Sequence, residues 1–218
     1  MDGNRRWAVE KGMSKLDGHK YGAEKISKVI DWVKENDIKH LTLYAFSTEN
    51  WNRSKIEIEV IMRLFENFIE NEMDKIIEKK VSIKFIGKKE MFSNKLQGLM
   101  GKVEEKSKGF NTILYMAMSY GGRLEIVEGV KKLSQEKTKE EIESLTENEF
   151  EKYLWTANLE DPEIIIRTGG DTRLSNFLLW KAAYSELIFT KTKWPDFSKD
   201  EFEKILEDYK KAKINKGK

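Results

Sequence analysis

Short apolar runs of strand length alternate with longer amphipathic stretches along the whole chain, and this alternation restricts the fold more than any other feature. Residues 41–46 form an apolar run typical of a buried strand. Residues 58–76 instead repeat apolar side chains at helical spacing. Because alternating strands and helices build mainly parallel sheets, the sequence predicts one α/β domain over residues 1–218, with a central parallel sheet flanked by helices.

The same two patterns locate the other elements. Further strands are predicted at 81–86, 113–118, 164–166 and 187–189, and further helices at 26–33, 88–108 and 123–133. Two helix starts have capping-box spacing, Thr146 with Glu149 and Ser198 with Glu201. Phe197 and Phe202 flank the second box as a hydrophobic staple, so the last helix is predicted to begin just after Ser198.

The composition excludes several functional classes. The 40 Lys and Arg residues nearly balance the 38 Asp and Glu residues, whereas nucleic-acid binders usually show a clear basic excess, so we expect no nucleic-acid partner. The chain has no cysteine and only two histidines, His19 and His40, too few for a thiolate or multi-histidine metal site. No apolar run approaches the ~20 residues that cross a bilayer, and no secretory signal precedes the first motif. These features predict a cytoplasmic protein.

Four polar clusters follow predicted strands or lie at the start of the chain: 2–6 with the Gly18-His19 pair, 47–53, 119–123 and 167–176. Ligands of parallel sheets bind beyond the carboxyl ends of the strands. Glycines beside arginines at such turns suit a phosphate, because the backbone approaches closely and guanidinium groups bind bidentately. Any one of these turns alone is adequately explained as a connection between a strand and a helix. Their convergence on one edge of the sheet favours an anion site.

The one acidic residue of the first cluster, Asp2, points to Mg²⁺. This ion prefers one or two carboxylates, with substrate phosphate oxygens and water in the remaining positions. Asp2 alone is also explained as a helix cap, and His19 alone as a satisfied polar residue. The sequence contains no GxGxxG, no GxxxxGK[ST] and no DDxxD motif.

The chain contains a series of distinctive blocks: Asp-Gly-Asn-Arg-Arg-Trp-Ala at 2–8, Gly-His at 18–19, Tyr-Ala-Phe-Ser-Thr-Glu-Asn-Trp at 44–51, Tyr-Gly-Gly-Arg at 120–123, and 167–170 with 173–180. With these blocks the chain resembles the cis-prenyltransferases, and the undecaprenyl diphosphate synthase type most closely. The blocks occur in order over nearly the whole chain. The resemblance implies a homodimer with a hydrophobic tunnel, in which isopentenyl diphosphate is condensed with an allylic prenyl diphosphate. The product would be a polyprenyl diphosphate of the undecaprenyl type, the precursor of the cell wall lipid carrier.

The resemblance also implies residue roles. Asp2 and Asn50 are the catalytic candidates, Asp2 as a Mg²⁺ ligand that assists departure of diphosphate and Asn50 beside the proton removed from isopentenyl diphosphate. Glu186 is implied as a second Mg²⁺ contact. The substrate-binding candidates are Gly3, Asn4, Arg5, Arg6, Trp7, Lys15, His19, Ser47, Thr48, Glu49, Trp51, Arg53, Arg167, Arg173 and Ser175. The resemblance allows the tunnel to be lined by Ala45, Ile61, Leu64, Phe65, Phe68, Ile69 and Phe85, but an apolar stripe is more often simply core, so no tunnel residue is assigned. Contact with a membrane is expected only through the product.

Three features depart from the family pattern. The family has a strand immediately before its Asp-Gly-Asn turn, so we expect such a strand upstream of Met1. Lys15 stands where the family usually has arginine, and lysine keeps the charge without the bidentate fork. The tail, 210–218, is Lys-rich rather than Arg-rich and is expected to be disordered.

Two alternative functions remain open. One is a short-chain cis-prenyl diphosphate synthase, since neither product length nor the preferred allylic starter follows from these motifs. The other is a non-catalytic homologue or subunit that binds prenyl diphosphates. The joint presence of Asp2, Asn50 and the arginines favours catalysis, because a scaffold does not need them together.

Overall fold

Each of the five strands predicted within residues 1–211 forms, and every pair among them is parallel. The structure is a computed structural model that describes residues 1–211. The strands are β1 (His40–Ser47), β2 (Val81–Ile86), β3 (Thr112–Tyr120), β4 (Ile164–Arg167) and β5 (Glu186–Phe189). β1 and β2 both pair with β3, and β4 pairs with β5. The predicted parallel sheet flanked by helices is confirmed.

The helices follow the predicted order with two additions. They are α1 (Asn4–Glu10), α2 (Asp17–Glu35), α3 (Lys55–Glu78), α4 (Asn94–Lys106), α5 (Gly122–Glu136), α6 (Lys139–Glu143), α7 (Glu147–Glu151) and α8 (Lys199–Lys211). The sequence patterns did not predict α1 and α6. The single helix predicted over 88–108 is a short 3₁₀ turn, Lys89–Met91, followed by α4. The break occurs because the Ser93 side chain accepts a hydrogen bond from the Leu96 amide and so begins a new helix.

β3 is the central strand of its sheet, and its side chains alternate between two apolar layers. Leu114, Met116 and Met118 pack with α2, α3 and α4, whereas Tyr115 and Ala117 pack on the opposite face. All five are 3% exposed or less. A strand that is apolar on both faces must be covered on both, which explains the layers of helix and loop around the sheet.

The sheet is in two sections within the described part of the chain. One section has the order β1-β3-β2 and the other is the pair β4-β5. β1 and β4 each pair along one edge, and the residues of both strands line one cavity between the sections. This division brings the carboxyl ends of β1, β3 and β4 to the same side of the molecule.

The last helix begins as predicted. The Glu201 amide donates to Ser198 Oγ at 3.1 Å, and the rings of Phe197 and Phe202 pack edge to face. The Glu201 carboxylate does not complete the box, since it accepts a hydrogen bond from Thr190 Oγ1 at 2.5 Å instead. α8 continues through Lys211, so the first two residues of the predicted disordered tail are helical. The remainder, 212–218, lies outside the described residues.

Gly18 determines how closely α1 packs on α2. A Cβ atom at Gly18 would overlap the main-chain carbonyl oxygen of Asn4. We expect Gly18→Ala to lower the free energy of unfolding by about 2 kcal/mol, because the backbone of α1 must move away. Urea unfolding measures this. The control is Gly98→Ala in the exposed interior of α4, where nothing lies within 4 Å and the change should stabilise by about 0.5–1 kcal/mol. Equal urea midpoints for Gly18→Ala and wild type would contradict the packing.

Candidate active site

A cavity of about 1840 Å³ lies along β1 and β4 and includes a group of polar residues at the carboxyl ends of these strands. The predicted site residues in its wall are Asp2, Gly3, Asn4, Arg5, Arg6, Lys15, His19, Ser47, Glu49, Asn50, Arg53, Arg167, Arg173 and Ser175. The apolar wall includes Ile26, Val29, Leu43, Ala45, Ile61, Leu64, Phe65, Phe68, Ile164 and Ile166. A polar end therefore leads into a long apolar body.

Arg167, the last residue of β4, connects the N-terminal segment to the loop that follows β4. Its Nη2 lies 3.0 Å from Asp2 Oδ2, and its Nη1 donates to Ser175 Oγ at 2.7 Å and to the Arg173 carbonyl. Partial burial opposes ionisation of Asp2, but the hydrogen bonds from Arg167 and from the Gly3 amide outweigh it, so the pKa of Asp2 lies below its usual value. Asp2 is therefore an ionised carboxylate held by one arm of the guanidinium fork.

Asp171 lies among the same arginines; its cluster, 167–176, was predicted to be part of the site, but no role was predicted for Asp171 itself. Its carboxylate lies 3.1 Å from Arg173 Nη1, 3.6 Å from Arg6 Nη2 and 3.7 Å from Arg167 Nη2. Arg6 Nη2 is also 3.7 Å from Asp2 Oδ1. These arginines thus share carboxylate partners that an anionic ligand can replace.

The backbone before α1 is fixed to distant segments. The Asp2 amide donates to Thr168 Oγ1 at 3.0 Å, and the Asp2 carbonyl accepts from the Trp194 amide at 3.0 Å. Gly169, at φ +90°, admits this approach, because a Cβ there would lie 3.0 Å from the Asp2 carbonyl carbon. Asp2 is therefore held by the loops that follow β4 and β5.

A further charged group lies where α1 approaches the first turn of α3. Glu57 Oε1 accepts from Arg53 Nη1 at 2.8 Å and lies 3.0 Å from Arg5 Nη1. This shared carboxylate connects α1 to the first turn of α3. His19 lies nearby, and its Nε2 atom is buried without a hydrogen-bond partner in the described part of the structure. An unsatisfied ring nitrogen in the cavity wall beside two arginines is suited to meet an anionic oxygen.

The ionisation of His19 gives a pH-dependent prediction. Burial, with smaller contributions from Arg53 and Arg5, lowers the pKa of His19 from 6.5 to about 4. Between these values the unfolded chain binds a proton that the folded protein does not, so stability falls as the pH falls through this window. We expect a loss of about 2 kcal/mol between pH 7 and pH 4 from this group, measured as the difference in urea unfolding between wild type and His19→Gln. Equal pH slopes for the two proteins would contradict it.

The turn after β1 is a 3₁₀ helix, Thr48–Asn52. Asn50 Oδ1 accepts from the Ser47 amide at 3.1 Å, which fixes the Asn50 side chain at the end of the strand. Glu49 Oε1 accepts from Asn176 Nδ2 at 2.8 Å. The turn is thereby attached to the loop that carries Arg173 and Ser175.

Comparison with known proteins agrees with this arrangement. Residues 1–217 match the family described as putative undecaprenyl diphosphate synthase. The chain belongs to this family. An isoprenyl transferase from Aquifex pyrophilus is 44% identical over 218 residues, which cover 100% of this chain and 93% of the relative. A farnesyl-diphosphate-specific ditrans,polycis-undecaprenyl-diphosphate synthase from Buchnera aphidicola is 41% identical, covering 95% of this chain and 84% of the relative.

The fold is shared as well. The crystal structure of lavandulyl diphosphate synthase from Lavandula x intermedia, in complex with dimethylallyl diphosphate, superposes with a TM-score of 0.92 at 30% identity. It covers 100% of this chain and 95% of that structure. The chain is thus a prenyltransferase, and the resemblance seen in its motifs is confirmed.

Four of the predicted site residues lie outside the cavity wall of this prenyltransferase. Trp7 is 8% exposed and packs on Tyr21, with ring centroids 4.9 Å apart. Trp51 packs edge-on against Phe46 and donates from Nε1 to Ser119 Oγ at 2.9 Å. Thr48 Oγ1 donates to Glu49 at 3.2 Å. Trp7 and Trp51 therefore pack against other protein side chains outside the cavity wall. Sequence spacing does not reveal this orientation of the two rings.

Glu186 is the fourth, and it lies at the wrong end of its strand to meet Asp2 within one chain. It begins β5 opposite Ile164, whereas Arg167 is opposite Phe189 at the other end of the pair. Three residues of strand separate the two positions, about 10 Å. Of the apolar side chains considered for the tunnel, Ile69 and Phe85 are absent from the cavity wall and belong to the buried core.

The residues present fit a Mg²⁺ ion that is shared with a substrate. No group of three or more His, Asp or Glu side chains suited to a metal occurs within residues 1–211. A metal held by protein alone is therefore not supported there. Asp2 is ionised, its side chain is 40% exposed and it lines the cavity. One carboxylate with phosphate oxygens is an arrangement that Mg²⁺ accepts.

No helix in the described part of the chain is long and apolar enough to cross a membrane.

Proposed function

We propose that this prenyltransferase condenses isopentenyl diphosphate with an allylic prenyl diphosphate in a Mg²⁺-dependent reaction, forming a cis double bond at each step and a polyprenyl diphosphate of the undecaprenyl type. One observation carries the proposal: Arg167 joins two anion-binding groups at one end of an apolar cavity. A single phosphate does not need both groups, whereas a reaction between two diphosphates does.

The first group would hold the allylic diphosphate. Arg5 and Arg6 on α1 and His19 on α2 line the cavity beside Asp2. Lys15 lines the same wall and adds charge without a bidentate fork. When bound, Mg²⁺ would neutralise charge that develops on the departing diphosphate. The arginines do the same by hydrogen bonding, and their positions are set before the substrate arrives.

The second group would hold isopentenyl diphosphate. Arg173 and Ser175 lie in the loop after β4, and Arg167 donates to both. The C1–O bond of the allylic diphosphate breaks and leaves its electron pair on diphosphate, and the terminal double bond of isopentenyl diphosphate attacks C1. The attack leaves a cation at C3 of isopentenyl diphosphate; a proton then leaves the neighbouring C2, which forms the new double bond, and is taken up by the released diphosphate. Asn50, fixed by the Ser47 amide, orients the reacting end.

The apolar body of the cavity favours a long product. It follows β1 from Ser47 to His40, seven residue steps or about 23 Å. Ile61, Leu64, Phe65 and Phe68 of α3 form part of its wall and exclude water from the chain. A prenyl chain several units long fits along this wall, which favours polyprenyl synthesis over the short-chain alternative.

A homodimer is the second part of the proposal. Tyr184, Leu187 and Phe189 expose 67%, 42% and 37% of their surface around the short strand β5. Exposed apolar side chains at a sheet edge are typical of an interface. Leu187→Lys should therefore convert a dimer into a monomer, measured by light scattering after size exclusion. A wild-type protein that is monomeric at micromolar concentration would refute the dimer.

The two diphosphate substrates are polar, whereas the product has a long apolar chain. We accordingly place the enzyme in the cytoplasm, with peripheral membrane contact through its product.

The reaction is tested by incubating the protein with radiolabelled isopentenyl diphosphate and farnesyl or geranylgeranyl diphosphate, with Mg²⁺ or with EDTA. We expect label to enter the butanol phase only with Mg²⁺. Thin-layer chromatography after dephosphorylation gives the chain length. Absence of extractable label with either starter would refute the proposed reaction, and binding of labelled starter without turnover would support the non-catalytic alternative.

A further inference from the structure

Asn176 connects three segments of the site through hydrogen bonds from one residue. Its Nδ2 donates to Glu49 Oε1 at 2.8 Å, and its Oδ1 accepts from the Arg123 amide at 2.8 Å. Its main-chain carbonyl accepts from the Gly122 amide at 2.7 Å. The segments are the turn after β1, the first turn of α5 and the loop after β4.

The backbone is shaped to allow these contacts. Asn176 has φ +65°, a left-handed conformation that asparagine tolerates better than most residues. Gly121 leaves room for it, since a Cβ there would lie 2.5 Å from Thr48 Oγ1 and 2.8 Å from Asn176 Nδ2. The turn, the helix and the loop thus meet at one point beside the cavity.

The electrostatics of Glu49 depend on the same contact. Partial burial works against ionisation of Glu49, but hydrogen bonds, first that from Asn176, lower its pKa below the usual value. Glu49 is therefore ionised when it accepts from the amide. On the other side of Asn176 stands Ser175, whose hydroxyl accepts from Arg167.

We propose that Asn176 is a positioning residue that holds the Glu49–Asn50 turn against the Arg173–Ser175 loop and the start of α5. This contact fixes the Asn50 turn relative to the loop proposed to hold isopentenyl diphosphate, and the inference rests on the proposed function. Asn176 itself need not touch a reacting atom. Its loss should impair the alignment of isopentenyl diphosphate with the Asn50 turn before it impairs the fold.

Asn176→Asp tests the contact selectively. The aspartate retains an oxygen that accepts from the Arg123 amide and tolerates a left-handed backbone, but it places a carboxylate beside Glu49. We expect kcat/KM for isopentenyl diphosphate to fall about tenfold or more, with a higher KM. Adding Glu49→Gln restores a donor and an acceptor in reversed order. The double variant should therefore recover to within about threefold of Glu49→Gln alone, as expected for two directly coupled residues.

Asn71→Asp is the matched control. Its Nδ2 donates to the Asn67 carbonyl on the exposed surface of α3, so the substitution also removes an amide donor, but away from the cavity. It should leave kcat/KM unchanged. Thermal unfolding of each variant checks the fold. If Asn176→Asp does not fold, Asn176→Gly replaces it, because glycine adopts the same backbone and removes both side-chain bonds; kcat/KM should then fall about as far, without rescue by Glu49→Gln.

Two results would overturn the inference while leaving the proposed function intact: an active wild type with kcat/KM unchanged by Asn176→Asp, or a loss that Glu49→Gln fails to rescue. A wild-type protein that extracts no label into butanol would instead refute the proposed function. The two failures are therefore distinguishable in one assay.

Discussion

Asp2→Asn should lower kcat by about a thousandfold while leaving the fold intact. The asparagine keeps an oxygen for the Gly3 amide, whose hydrogen bond to Asp2 Oδ1 is 2.7 Å long. It loses the negative charge that faces Arg167 at 3.0 Å and that would bind Mg²⁺ with the diphosphate. Because the side chain is nearly isosteric, the change acts on charge rather than on packing.

The butanol-extraction assay measures this effect, and urea unfolding checks stability. Asp208→Asn on the exposed surface of α8 removes one carboxylate of the same kind away from the cavity and should retain full activity. The Asp2 variant should unfold within about 1 kcal/mol of wild type, because a partly exposed ion pair contributes little. Turnover by Asp2→Asn within tenfold of wild type would contradict the role assigned to this carboxylate.

The fold was largely predictable because its strands are short apolar runs with clear ends. β2 begins and ends at the predicted residues, 81 and 86, and the predicted strand at 113–118 lies within β3. The apolar pattern carries no information on α1, which has two arginines in its first turn. α1 forms because tertiary contacts fix it, including the close approach of Asn4 to Gly18.

Much of the polar site was also predictable, since the carboxyl ends of parallel strands meet at one edge. This rule placed Asp2, Asn50 and Arg167 in one cavity wall. It says nothing about which way a side chain points, and so Trp7 and Trp51 were assigned to substrates although both pack into the protein. The contact between Glu49 and Asn176 spans 127 residues, and sequence spacing gives no sign of it.

The predicted strand before Asp2 stays a prediction. The physical reason to expect it lies in the two sheet sections. Within residues 1–211, β1 and β4 each pair along one edge only, and both line the cavity between the sections. A strand between these edges would join the sections into one parallel sheet and satisfy their free amides and carbonyls. It would also narrow the cavity, so the tunnel would then be formed mainly by the α3 side of the wall.

Arg167→Lys should lower kcat/KM for isopentenyl diphosphate about a hundredfold, although the charge is retained. In the structure the guanidinium fork reaches Asp2 with Nη2 and Ser175 with Nη1 at the same time, at 3.0 Å and 2.7 Å. An ammonium group on a flexible stem cannot hold both in fixed geometry. The two groups of residues proposed to bind the diphosphates then lose the side chain that connects them.

The values of kcat and KM separate a geometric role of Arg167 from a purely electrostatic one. If Arg167 acts by geometry, the variant should show a higher KM and a lower kcat at every ionic strength, because misplaced substrates react slowly even when bound. Arg63→Lys, on the exposed face of α3, is the matched control and should behave as wild type. If Arg167→Lys retained kcat and KM within threefold, the positive charge alone would be sufficient and the bidentate anchor would be unnecessary. The Asp2 and Arg167 variants should also be less than additive when combined, because each removes one end of the same hydrogen bond.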